Sequence, residues 1–124
     1  MKICVSSTEK DLNAVVDQRF GRCQYFLIVD METMKVKTIS NEGTLSSGGA
    51  GIQAAQIVTK EGVGSVITGN IGPNAFQILQ AAGIKVFTGA EGTIKDAIES
   101  YKEGKLQETG SPNVGSHSGI GGRN

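Results

Sequence analysis

Cys23 closes the stretch Asp17-Gln18-Arg19-Phe20-Gly21-Arg22-Cys23, with two guanidinium groups within four positions of its thiol. Cationic neighbours favour the thiolate, which is the nucleophile and metal-ligand form of cysteine. The same position also suits a small residue buried at the head of a strand. Cys4 lies mid-strand, where burial is expected. His117 is the sole histidine and sits far from both thiols in sequence, which argues against a cysteine nucleophile with a positioned base. No HExxH or paired-cysteine motif offers a closed zinc site. No GxxxxGK[ST] supports a P-loop enzyme. The first strand, Lys2–Ser6, carries no carboxylate for two-metal phosphodiester cleavage.

Three loops are punctuated by glycine: Asp17–Cys23, Leu45–Gly51 and Thr68–Pro73. The second and third each open a predicted helix. Helix starts present unsatisfied N–H groups and partial positive charge, so they suit anions. Glycines that simply make tight turns are the plainer explanation of each loop alone. Gly49-Ala50-Gly51-Ile52-Gln53-Ala54 matches GxGxxA, but it follows no first strand, and no acidic residue ends a strand about 20 positions on.

The elements that position these loops are legible in the patterning. Lys2–Ser6 reads as a strand, and Ser7–Arg22 as a loop. Gln24–Asp30 contains a continuous apolar run, the mark of a strand buried on both faces. Met34–Thr38 alternates, as a half-exposed edge strand does, and its lysines discourage edge pairing. A helix follows the Ser/Gly-rich loop and runs to about Gly62, with Ala50, Ala54, Ile57, Val58 and Glu61 along one side. Ser65–Thr68 is a strand. Pro73 then suits the first turn of a helix whose apolar face is Ala75, Ile78, Leu79 and Ala82. Ile84–Thr88 is the last strand. Ile94, Ala97, Ile98 and Tyr101 define a final helix over about Thr93–Lys102. The expected architecture is α/β: three layers, with helices on both faces of a five-stranded mixed sheet.

The 124 residues make one domain, expected to span 1–103, followed by a flexible Gly/Ser-rich tail over 104–124. Twelve basic and twelve acidic side chains cancel, which removes bulk charge as a reason for binding nucleic acid or anionic membrane. No apolar run reaches the ~18 residues of a membrane span. The polar start and two cysteines without a disulfide framework lead to the expectation of a reduced cytoplasmic protein.

Taken together, Asp17–Cys23, Gly48-Gly49-Ala50-Gly51, Val66-Ile67-Thr68-Gly69 with Gly72-Pro73-Asn74-Ala75, and Ala82-Gly83-Ile84-Lys85-Val86 resemble the dinitrogenase iron–molybdenum cofactor biosynthesis family, the NifX/NafY-like domains. The resemblance covers about Met1–Glu103 and is closest to the short stand-alone members of archaea and anaerobic bacteria. It implies a ribonuclease H-like fold with sheet order 3-2-1-4-5 and the second strand antiparallel. It implies a non-enzymatic protein that binds or delivers an iron–sulfur or molybdenum-type cluster, or a related anionic metal cofactor, with a protein partner in cluster assembly. The residues expected to hold that cargo are Arg19, Phe20, Gly21, Arg22, Cys23, Gly48, Gly49, Gly51, Gly69, Asn70 and Gly72, with Cys23 as the metal ligand. The alternative is a regulatory or interaction module whose glycine loops bind a phosphate-bearing small molecule or a protein partner.

Overall fold

The computed structural model describes residues 1–42 and 49–112. Gly48 and His117 lie outside the described residues. The elements are β1 (Lys2–Ser7), β2 (Tyr25–Asp30), β3 (Val36–Ser40), α1 (Ala50–Thr59), β4 (Ser65–Ile67), α2 (Pro73–Ala81), β5 (Lys85–Phe87) and α3 (Ile94–Lys102). The five strands form one mixed sheet in the order β3-β2-β1-β4-β5. β2 is antiparallel to both β1 and β3, while β4 is parallel to β1 and to β5. The expected strand order and the direction of the second strand are both met.

Side chains along a strand alternate between faces, so the sheet divides its apolar residues into two cores. Cys4, Phe26, Ile28, Val66 and Val86 pack with Ala54, Ala55 and Val58 of α1 and with Ala75, Phe76 and Leu79 of α2. Ile3, Val5, Leu27, Val29 and Ile67 pack with Ile94, Ala97 and Ile98 of α3 and with Ala14 and Val16 of the loop after β1. β1 is buried from Ile3 to Ser7 because it is central and covered on both faces.

Two boundaries differ from the sequence pattern. β3 begins at Val36 rather than Met34 because the reverse turn is longer than it looks. The Asp30 carboxylate accepts the Glu32 and Thr33 N–H groups, and Met34 adopts φ 62. The second difference is at the end of the domain. Lys105–Thr109, expected to be tail, returns to the sheet. Leu106 packs against the α3 core, Glu108 bridges Phe87, and the Thr109 N–H donates to the Val86 carbonyl at 2.7 Å. The folded unit therefore continues past Glu103. Truncation after Glu103 removes one apolar anchor and two or three ladder contacts, about 2 kcal/mol. It should lower the melting temperature by roughly 8 °C or more, whereas truncation after Pro112 should leave it within about 4 °C. Equal melting curves for the two truncations would show that the strap contributes nothing.

Candidate functional site

The carboxyl ends of β1 and β4 are neighbours, and two small hydroxyl residues, Ser6 and Thr68, meet there. Ser6 Oγ donates to the Asp17 carbonyl at 2.7 Å and lies 2.8 Å from Thr68 Oγ1, all in the interior. That pins the turn after β1 to the turn after β4. Asp17 then bends its own chain: Oδ1 accepts the Arg19 N–H at 2.9 Å and faces Arg19 Nε at 3.4 Å. Asn70 ties the two turns from the other side. Its carbonyl accepts the Phe20 N–H at 3.2 Å, and its side-chain amide donates to the Gln18 carbonyl at 3.1 Å.

Glycines let the backbones close further. A Cβ on Gly21 would stand 3.0 Å from Gly51 Cα, in the first turn of α1. A Cβ on Gly51 would in turn stand 3.6 Å from that of Ala75, in the first turn of α2. The turn Asp17–Cys23, the start of α1 and the start of α2 thus share one edge of the sheet.

Among the described residues, neither helix start there has a side-chain cap. α1 begins after Gly49, at φ 74, and α2 after Gly72, with Pro73 next; neither has a side-chain cap or an acidic residue in its first turn. α3, elsewhere, is closed by a Thr93–Asp96 capping box. Among the described residues no capping or acidic side chain therefore offsets the positive dipole ends of α1 and α2. Arg19 and Arg22 are exposed beside them.

Two expected site residues turn inward. Phe20 is 1% exposed and packs on Phe26 with ring centroids 5.2 Å apart, so it anchors the turn in the core. Cys23 is fully buried, and its thiol donates to the Phe20 carbonyl at 3.3 Å. Burial pushes that thiol up to about 12, the Asp17 carboxylate adds to the rise, and the Asn41 amide only partly offsets it. Of the two readings of Cys23, the geometry favours the small residue buried at the head of a strand over the thiolate: the sulfur faces the core, while the Arg19 and Arg22 side chains are exposed and Arg19 Nε stands against Asp17. No group of three His, Cys, Asp or Glu able to hold a metal occurs among the described residues.

Asn41 was not singled out by any sequence signal. It is 3% exposed, and its side-chain amide donates to the Gly21 carbonyl at 3.1 Å and to the Cys23 carbonyl at 2.9 Å. Nothing in the sequence separates it from an ordinary turn asparagine after a strand.

The profile described as "Dinitrogenase iron-molybdenum cofactor" matches residues 1–104. An uncharacterized protein of Methanocaldococcus jannaschii is 32% identical, covering 77% of this chain and 84% of that protein. The apo form of the orange protein from Desulfovibrio gigas superposes with a TM-score of 0.88 at 41% identity, over 90% of this chain and 95% of that one. A putative NifB protein from Thermotoga superposes with a TM-score of 0.76 at 38% identity, over 86% of this chain and 91% of that one.

Proposed function

This chain belongs to the dinitrogenase iron–molybdenum cofactor family, and from that premise we propose that it binds an anionic metal–sulfur cofactor as cargo on the glycine-lined edge. The cargo rests against the starts of α1 and α2, the Gly69–Pro73 loop and the Asp17–Cys23 turn. Peptide dipoles and the guanidinium groups of Arg19 and Arg22 hold it, rather than a protein thiolate. The observation that carries this reading is the convergence of two helix starts, without side-chain caps among the described residues, beside two exposed arginines. A metal–sulfur cluster has a negatively charged surface and accepts N–H donors, so the donor set fits it without a covalent ligand. The protein carries its cargo and does no chemistry on it. The same reading takes the fold as ribonuclease H-like and the location as cytoplasmic. No helix among the described residues is long and apolar enough to cross a membrane.

The test is equilibrium dialysis under anaerobic conditions, with tetrathiomolybdate and orthophosphate as probes. Replacing Arg19 and Arg22 together by alanine should weaken tetrathiomolybdate binding by roughly 10-fold or more, the scale of one or two charge-assisted hydrogen bonds, and should flatten its salt dependence. Cys23→Ser should change the two probes in parallel. Unchanged affinity in the double variant, or a loss selective for the thioanion in Cys23→Ser, would contradict the reading.

A further inference from the structure

The turn Asp17–Cys23 disposes of its carbonyl groups in an unusual way. Ser6 Oγ takes the Asp17 carbonyl, Asn70 Nδ2 that of Gln18, the Cys23 thiol that of Phe20, and Asn41 Nδ2 those of both Gly21 and Cys23. The Ser6, Cys23 and Asn41 donors are buried side chains, while Asn70 reaches the Gln18 carbonyl from the surface. In a planar trans peptide the C=O and the following N–H point in opposite directions. Capturing the Phe20 carbonyl therefore turns the next N–H, that of Gly21, away from the Cys23 sulfur. Capturing the Gly21 carbonyl likewise turns the Arg22 N–H away from Asn41. With the Phe20, Gly21 and Cys23 carbonyls held inward, the turn keeps those negative dipole ends off the edge, where they would repel an anion.

Asn41 is the donor this arrangement depends on most. One amide nitrogen carries two hydrogens, and here it is shared by the two carbonyls and, at 3.7 Å, the Cys23 sulfur. The Asn41 backbone N–H also donates to the Gln24 carbonyl at 3.0 Å, so the residue is anchored at the end of β3 and cannot swing aside. A carboxylate of the same shape has only acceptors to offer to those two carbonyls and would repel both, favouring a turn whose carbonyls rotate outward.

We infer that Asn41 is a positioning residue for the anion edge: by capturing the Gly21 and Cys23 carbonyls it fixes the sign of the ligand that the Asp17–Cys23 turn accepts. The inference rests on the anionic-cargo reading above and adds to it a residue that touches no ligand.

The test compares wild type, Asn41→Asp and Asn41→Ser at a temperature where circular dichroism finds the protein fully folded. Tetrathiomolybdate affinity is measured, together with carbonyl ¹³C shifts of Gly21 and Cys23. Asn41→Asp should bind at least 10-fold more weakly, an order-of-magnitude expectation for two reoriented dipoles. Asn41→Ser, with a single hydroxyl donor, should fall between. The Gly21 and Cys23 carbonyl shifts should move while that of Gln18, held by Asn70, stays. A merely structural role would lower the melting temperature of folded variants and leave their affinity unchanged, and that result overturns the inference. Should Asn41→Asp not fold, Asn41→Ser with wild-type affinity overturns it equally. If wild type itself does not bind the thioanion, the cargo reading fails first; if wild type binds and both variants match it, only the role of Asn41 fails.

Discussion

Replacing Gly69 by alanine is expected to lower the melting temperature by at least about 12 °C, corresponding to about 3 kcal/mol at the upper end of the overpacking range. The demand at this position is for space. An added Cβ would stand 2.7 Å from Gln18 Cα, a backbone atom that cannot rotate out of the way. Gln18 has little room to retreat. Its side-chain amide donates to the Ala90 carbonyl at 2.9 Å, and its own carbonyl accepts from Asn70. Gly69 is held as firmly, since its carbonyl accepts the Gly89 N–H at 2.9 Å. Relief requires the turns after β1 and β4 to separate, and those turns form the proposed edge. Gly49→Ala is the internal contrast. Gly49 has φ 74, and among the described residues nothing lies within 4 Å of an added Cβ, so the left-handed backbone conformation sets the penalty, at about 1–2 kcal/mol. Thermal melts of the two variants should therefore rank Gly69→Ala well below Gly49→Ala. A Gly69→Ala protein that melts within about 2 °C of wild type would refute the close approach.

Cys23 is expected to react with iodoacetamide about 10³-fold more slowly in the native protein than in urea at pH 8. The nucleophile is the thiolate. With the native thiol pushed up to about 12, roughly one molecule in 10⁴ carries it at pH 8, against about a quarter of unfolded chains with an ordinary pKa of ~8.5. Burial slows the reaction further. The same displacement makes stability depend on pH. The folded state keeps a proton that the unfolded chain releases, so the stabilising contribution is complete below ~8.5 and is lost as pH rises from there towards about 12. Cys4 acts in the same direction, its thiol raised by full burial, with Cys23 and Glu61 adding to the rise. Melting temperature should fall above about pH 9, and Cys23→Ser, which keeps a hydroxyl donor for the Phe20 carbonyl, should remove part of that slope. Labelling of native Cys23 within the time needed for the urea-unfolded chain would show an exposed, activated thiol instead.

The elements of this fold were legible because each one buries a clear pattern. The apolar run Tyr25–Val29 occupies a strand covered on both faces, and Ile94, Ala97 and Ile98 form a helical stripe that meets the sheet as expected. The order of the strands was implied by the family resemblance, since local pattern does not say which strands are neighbours. The residues expected to hold the cargo come from three glycine-bearing segments, and among the described residues Gly21, Gly51 and Gly69 make the close approaches between the turn after β1, the start of α1 and the turn after β4. The orientation of Cys23 was not legible. Sequence proximity places two arginines beside a thiol, but only the packing of Phe20 on Phe26 decides which side of the turn enters the core. Asn41 was invisible for a related reason: its partners lie 18 and 20 positions away, and no local signal encodes a long-range amide clasp. The strap over Lys105–Thr109 was missed because its composition is polar and its pairing with β5 uses mostly backbone and hydroxyl groups.

The most direct test of the central claim is a titration of ¹⁵N-labelled protein with tetrathiomolybdate under anaerobic conditions, followed amide by amide. Binding on the glycine-lined edge predicts that Gly21, Arg22, Gly49, Gly51, Asn70 and Gly72 shift first and together, with one saturation curve. The α3 cap at Thr93 and the strap at Thr109 should stay in place. Shifts that begin at the opposite end of the sheet, around Gly64 and Lys85, or a spectrum unchanged at millimolar probe, would contradict the account.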